Sequence, residues 1–190
     1  MVWHNNCQIK ENKYLMKNIV TLFLFLAVSF NAFAQADEYS SAVKKCIISN
    51  GTMAYYEDVM EQMYEMLEVQ FTDVNVPEAV WIEVRKGKNE AMDKLAQMIV
   101  SAYSAHFTQG DVENMNALYA SQAGKNMFKK EELTEGDKII LSEFYKSDTG
   151  NKIVSSQDSM NDAMSKISEL WSSEVYRDLI AMLSEKGYEL

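Results

Sequence analysis

Three methionines, Met60, Met63 and Met66, stand three residues apart, with Met53 one heptad upstream. Thioether sulfur is a soft ligand suited to Cu(I). On a helix, steps of three turn by about 60° each, so the three sulfurs fan over roughly a third of the circumference and could share an ion. The competing reading is a core stripe in which methionine fills irregular gaps. His106 is the only histidine after residue 34. Ser–His–acid, Cys–His and multi-histidine metal sites would all depend on it, and nothing around it helps. The sequence has no G-x-S-x-G, H-E-x-x-H or C-x-x-C and no glycine-rich phosphate loop. Two carboxylates can hydrolyse a bond without histidine, and Glu131, Glu132, Glu135 and Asp137 lie close together in sequence. With so many acids in the chain, a solvated charged face accounts for them better. Cys46 sits among Val43, Ile47 and Ile48, where a cysteine acts as a small apolar residue, with an intermolecular bridge as the alternative. These residues lead us to expect no enzyme and no cofactor.

The wider composition sets the address. The chain has 190 residues, 24% charged and 47% hydrophobic, with 1 proline. That balance is globular, and the scarcity of proline favours long helices. A net charge of -10 argues against nucleic-acid binding. Met16-Lys17-Asn18 precedes an apolar run from Ile19 to Val28, and Ala32-Phe33-Ala34 closes the segment. A basic start, a short apolar middle and an A-x-A exit read as a signal peptide over 1–34, with 1–15 an over-extended start or a long basic lead. The run is short of the ~20 residues a spanning helix needs, so no stable membrane anchor is expected after cleavage. No cysteine at the exit offers a site for lipid attachment. The expected location is the periplasm, or beyond it by secretion. Removing Lys10, Lys13, Lys17 and Glu11 leaves 15 basic and 27 acidic residues, a net −12. Such a charge repels phosphate and anionic lipid head groups.

From Gln35 onward the apolar residues recur at helical spacing. Tyr39, Val43, Cys46 and Ile47 predict a helix over Asp37 to Ser49, stopped by Gly51. Met53, Tyr56, Met60, Met63 and Leu67 predict a second, ending near Phe71. Pro77 and Glu78 suit the first turn of a third, which carries Val80, Trp81 and Val84 and breaks or bends near Gly87. Met92, Leu95, Met98, Ile99, Ala102, Tyr103 and His106 mark a fourth. At the far end, Ile153, Gln157, Met160, Met164, Ile167, Trp171, Val175, Leu179 and Met182 predict one long helix over Asp148 to Glu185, with Gly187 as its stop. Its stripe favours packing within the chain over a coiled-coil partner.

Between these lies a repeat. Residues 107–128 (FTQGDVENMNALYASQAGKNMF) align without gaps on 133–154 (LTEGDKIILSEFYKSDTGNKIV) at an offset of 26. Six positions are identical: Thr108/Thr134, Gly110/Gly136, Asp111/Asp137, Tyr119/Tyr145, Ser121/Ser147 and Gly124/Gly150. Thr108 and Thr134, each with an aspartate three residues on, form capping boxes. Phe107 and Leu133 precede them as staples. Ser121 and Ser147 cap the following helix. Gly124 and Gly150 fall at its third position, where a missing side chain admits the preceding helix. The expectation is two helix-turn-helix units whose shared letters serve shape. Tyr103, Tyr119 and Tyr145 would line a groove between them.

The segment Tyr103, Phe107, Thr108, Asp111, Leu118, Tyr119, Ser121, Gly124 resembles the exported bacterial domain of unknown function family 2059 (DUF2059). The second copy, with Leu133, Thr134, Asp137, Phe144, Tyr145, Ser147 and Gly150, resembles it too. Leu118 in the first copy, Leu133 in the second and the lack of a proline near Thr149 depart from the family pattern, so which copy is the equivalent stays open. The resemblance implies a compact all-helical envelope protein and no assigned activity. The expected whole is an all-α single-domain helical bundle over 35–190, exported and non-catalytic, binding a protein, peptide or apolar ligand. A carboxylate-dependent hydrolase and a Met-based Cu(I) protein are the alternatives.

Overall fold

A computed structural model describes residues 35–129 and 132–189. The expected leader over 1–34 and Glu131 lie outside the described residues. The chain divides into two compact units at Ser41/Ala42. Of the first, residues 35–41 are described, and they are helical. The second, from Ala42, holds the core.

Every regular element among the described residues is helical, so the all-α expectation holds. Within the second unit these are α1 (42–49), α2 (Thr52–Gln70), a single 3-10 turn at Thr72–Val74, α3 (Glu78–Arg85), α4 (Lys88–Ser104), α5 (Gln109–Ala120), α6 (Gln122–Lys129), α7 (Glu135–Lys146), α8 (Asp148–Ser155) and α9 (Gln157–Glu185). Local chemistry fixes the boundaries. Gly51 adopts φ 83°, a left-handed conformation that ends α1. Asn50 Oδ1 then accepts the Thr52 N–H at 3.0 Å. Pro77 is extended at ψ 148° and immediately precedes α3, and Glu78 faces that helix's positive end. Gly187, at φ 88°, stops α9: its N–H bonds Ser184 O at 2.9 Å and the Tyr188 N–H bonds Leu183 O at 3.0 Å.

One boundary differs from the sequence reading. The single helix expected over Asp148 to Glu185 is two, interrupted at Ser156 (φ −95°, ψ 1°). The Ser156 hydroxyl donates to Lys152 O at 2.7 Å and that of Ser155 to the same oxygen at 3.1 Å. Serine side chains that bond back to the preceding turn bend helices. The packing also demands the turn, because α8 lies against α5 and α7 while α9 lies along α4 and α3. A straight rod could not meet both sets of neighbours.

The helices form two groups. In the first, α9, ~43 Å long at 1.5 Å per residue, packs on α4 and α3, and α2 packs on α4. Trp171 anchors this group. Its ring meets Tyr56 edge-on at 5.4 Å, and its indole N–H donates to Ala91 O at 2.9 Å. Tyr64, Leu67, Phe71, Leu95 and Ile99 complete the buried interior. In the second, α5 packs on α6, α6 on α7, α7 on α8, and α8 returns to α5, closing a ring. Leu118, Ala123 and Leu141 are buried inside it, flanked by Tyr119, Met127, Leu133 and Phe144.

Candidate functional site

The residues the repeat singled out hold the ring in shape. At the start of α5, Asp111 N–H donates to Thr108 Oγ1 at 3.3 Å, while Thr108 N–H and Oγ1 donate to Asp111 Oδ2 at 2.9 and 2.7 Å. At the start of α7 the same three bonds join Thr134 and Asp137 at 3.1, 3.0 and 2.8 Å. Ser121 Oγ donates to Leu118 O at 2.6 Å and accepts Gly124 N–H at 3.1 Å; Ser147 does the same with Phe144 O at 2.6 Å and Gly150 N–H at 3.2 Å. A Cβ built on Gly124 would lie 2.2 Å from Leu118 O, and one on Gly150 2.2 Å from Phe144 O. These contacts are with backbone, which cannot swing aside, so each hairpin closes only around glycine.

Both aspartates are buried and committed. Thr149 Oγ1 donates to Asp111 Oδ1 at 3.0 Å and Lys152 Nζ to Oδ2 at 2.6 Å. Burial pushes the Asp111 carboxyl up, but the Lys152 ammonium and the Thr108 and Thr149 donors together hold it well below the usual carboxylate range. Asp137 takes Asn126 Nδ2 at 3.1 Å as its outside partner. The Thr134 hydroxyl and N–H lower its carboxyl against the cost of burial. Carboxylates buried and held in these bonds are poorly placed to act as an acid or base.

The tyrosines do not share one environment. Tyr103 and Tyr119 are mostly shielded, and both phenols are raised by burial first and by their proximity to Cys46 second. Cys46 is fully buried, and burial pushes its thiol up to about 11 against the opposing hydrogen bond with Tyr103. Tyr119 also stacks edge-on against Phe128 at 4.8 Å. Tyr145 lies near enough to influence Tyr119 electrostatically, yet is itself 40% exposed. Of the methionines, Met60 and Met63 are in the core, and Met66 is on the surface at 43% exposure. His106 is half-buried with its ring tilted against Phe107. Glu132 and Glu135 are exposed, and Glu135 pairs with Lys138 at 2.6 Å.

A concave feature with a built interior lies elsewhere, between α3, α4 and α9. It is a pocket of about 240 Å3. From α9 it takes Trp171, Glu174, Val175, Asp178, Leu179 and Met182, one helical face at steps of three and one. From α4 and the turn before it come Gly87, Glu90, Ala91 and Lys94 at the same steps. Met60 and Val84 close the floor from α2 and α3. The small residues of α4 stand opposite the large ones of α9, and this leaves the space. Gly87 has an ordinary right-handed backbone (φ −71°, ψ −8°), and a Cβ there would meet the Met182 methyl at 3.8 Å.

Charge is confined to the rim. Lys94 pairs with Glu174 across the mouth. That hydrogen bond, with the ammonium charge behind it, keeps the Glu174 carboxyl below its usual range. Glu90 and Asp178 make no ion pair with any described residue and face solvent. Sequence reading missed this site because Gly87 looked only like a helix break and the α9 stripe looked only like core. The available signal was the matched spacing of glycine and alanine on one helix with tryptophan and methionine on another.

Three comparisons with known proteins bear on the chain. Residues 93–135 match a family model described as an uncharacterized protein conserved in bacteria (DUF2059). The resemblance read from the sequence is borne out over that segment, which contains the whole of the first hairpin and only the start of α7. No curated protein and no solved structure matches.

Proposed function

Taking the DUF2059 match over the first hairpin as the starting point, we propose that this is an exported, non-catalytic helical domain that binds a small apolar ligand in the α3–α4–α9 pocket. The observation that carries the proposal is the composition of that pocket: an aromatic and aliphatic floor of Trp171, Val84, Leu179 and Met60, with polar groups only around the mouth. Ligand sites in general are apolar concavities with a few orienting polar groups. At about 240 Å3 this one suits a short hydrocarbon body or a single large side chain. The capped hairpins act as the frame on this reading, since their polar residues are consumed by one another.

The hydrolase alternative would need a carboxyl raised to serve as general acid. Glu174 is instead held down by Lys94. The expected export fits an acidic helical domain whose one thiol among the described residues is buried, which suits an oxidising envelope compartment.

Calorimetric titration with 1-octanol tests the binding. The expected result is saturable binding at one site, lost in Gly87→Leu while the thermal midpoint is unchanged or raised. The glycine backbone accepts a side chain without strain, so a loss of binding would report blockage and not unfolding. Equal binding by Gly87→Leu would place the ligand elsewhere. Sequencing the N-terminus of the protein recovered from the envelope fraction tests export, with Gln35 expected first and an intact Met1 or Met16 contradicting it.

A further inference from the structure

The rim says what kind of apolar molecule the pocket takes. Three carboxylates, Glu90, Glu174 and Asp178, line the mouth with one lysine, Lys94, and Arg177 of α9 also acts on Glu174. Lys94 is already bonded to Glu174. Glu90 and Asp178 are left exposed and without an ion pair to a described residue on the two helices that flank the opening, one on α4 and one on α9. The floor beneath them is apolar and includes the buried Trp171 ring, which suits a hydrocarbon body. Met60 and Met182 add polarizable sulfur beside it. The field at the mouth is reinforced by the chain's net charge of -10.

We propose that the ligand is a small organic cation: a hydrocarbon body that fills the pocket and one ammonium that stays at the rim between Glu90 and Asp178. This rests on the pocket being the binding site, as argued above, and adds the ligand's charge class. The geometry separates the two parts of such a molecule. The interior offers no unpaired polar group, because the Trp171 N–H is used by Ala91 O, so a charge could not be carried inward. An ammonium at the mouth keeps part of its hydration and gains two carboxylates. An anionic head group would meet the same two carboxylates as repulsion. Lys94 shows the arrangement in miniature, with its alkyl stem lining the pocket and its ammonium on a rim carboxylate.

The test compares three probes of equal chain length on the full domain: octyltrimethylammonium, 1-octanol and octyl sulfonate, each below its micelle concentration. Each exposed carboxylate is worth a few-fold, so the cation should bind about tenfold more tightly than the alcohol and the sulfonate more weakly than either. The double variant Glu90→Gln with Asp178→Asn should bring the cation to the affinity that the same variant shows for the alcohol. Raising salt to 1 M should shrink the preference in the wild type and do nothing in the variant. Equal binding of cation and alcohol by the wild type would overturn the charge assignment and leave the pocket as an apolar site. A cation preference that survives the double variant would also overturn it. Failure of all three probes to bind would overturn the pocket reading itself, and this proposal with it.

Discussion

The two hairpins, α5–α6 and α7–α8, are built by the same local rules and joined by different chemistry. Each opens on a threonine–aspartate box and turns on a serine over a glycine that the preceding helix touches. The difference lies in what reaches each aspartate from outside. Asp111 receives Thr149 and Lys152 from α8; Asp137 receives Asn126 from α6. Positions 126 and 152 correspond at the 26-residue offset. The second helix of each hairpin therefore seals the first helix of the other, which is how four short helices close a ring. One seal is an ion pair between the buried Asp111 and the half-exposed Lys152, with a neutral donor beside it, and the other is a single amide. The surfaces differ in the same sense: Ile139 and Ile140 of α7 are 58% and 46% exposed where α5 has Glu113 and Asn114. Asn114 is used across the ring, donating to Thr149 Oγ1 at 3.0 Å. Identical letters thus fix the shape of each unit, and the non-identical ones decide how firmly the units are held together.

The largest effects should come from the shared glycines. Gly124→Ala and Gly150→Ala each force a methyl into backbone at 2.2 Å. A loss of about 3 kcal/mol or more in urea unfolding is expected for either, because the neighbouring helix must move bodily. Gly110→Ala and Gly136→Ala provide the control within the same repeat. Their added methyls meet nothing closer than 3.7 Å, so both should be neutral or gain up to ~1 kcal/mol from helix propensity. If all four variants behave alike, the hairpin contacts are wrong.

The aspartates should separate the two seals. Asp111→Ala removes a cap, the Thr149 bond and the half-exposed pair with Lys152, and a loss of about 2 kcal/mol is expected. Asp137→Ala loses the cap and one amide bond, so its loss should be clearly smaller. Acid should sharpen the contrast. The folded carboxyl of Asp111 sits below its unfolded value, so its contribution is fully present at neutral pH and fades as pH falls through the ordinary carboxylate value near ~4. Lys152→Met removes the main group holding the carboxyl down, and the acid unfolding transition should become less steep. An unchanged slope would assign acid sensitivity to other carboxylates.

The smallest effect concerns the region between the hairpins and α1. Cys46, buried and with its thiol pushed up to about 11, should react with an aromatic disulfide reagent at pH 8 far more slowly in the folded protein than in urea. Rapid labelling of the native protein would mean that the Tyr103–Tyr119 cluster opens readily.

Relations that span three or four residues were legible in the sequence. Thr108 and Asp111, Ser121 and Gly124, and the αL stops at Gly51 and Gly187 each follow from spacing alone. The break at Ser156 was not, because no proline or glycine marks it; it is imposed by α8 having to reach Asp111 while α9 lies along α4. Nor was the choice of Lys152 and Asn126 as the outside partners, which depends on how the ring closes. The pocket was hidden for the same reason. Gly87 and Met182 are distant in sequence, and only the packing of α4 on α9 turns a small residue and a large one into an opening.

On the proposed reading the capped hairpins are a frame and the α3–α4–α9 pocket binds the ligand. Amide shift mapping by NMR during titration with octyltrimethylammonium tests it most directly. Concentration-dependent shifts are expected to cluster at Gly87, Ala91, Glu90, Val175 and Asp178, with Asp111, Asp137, Gly124 and Gly150 unmoved. Shifts centred on the capping boxes, with the α4–α9 residues silent, would contradict it.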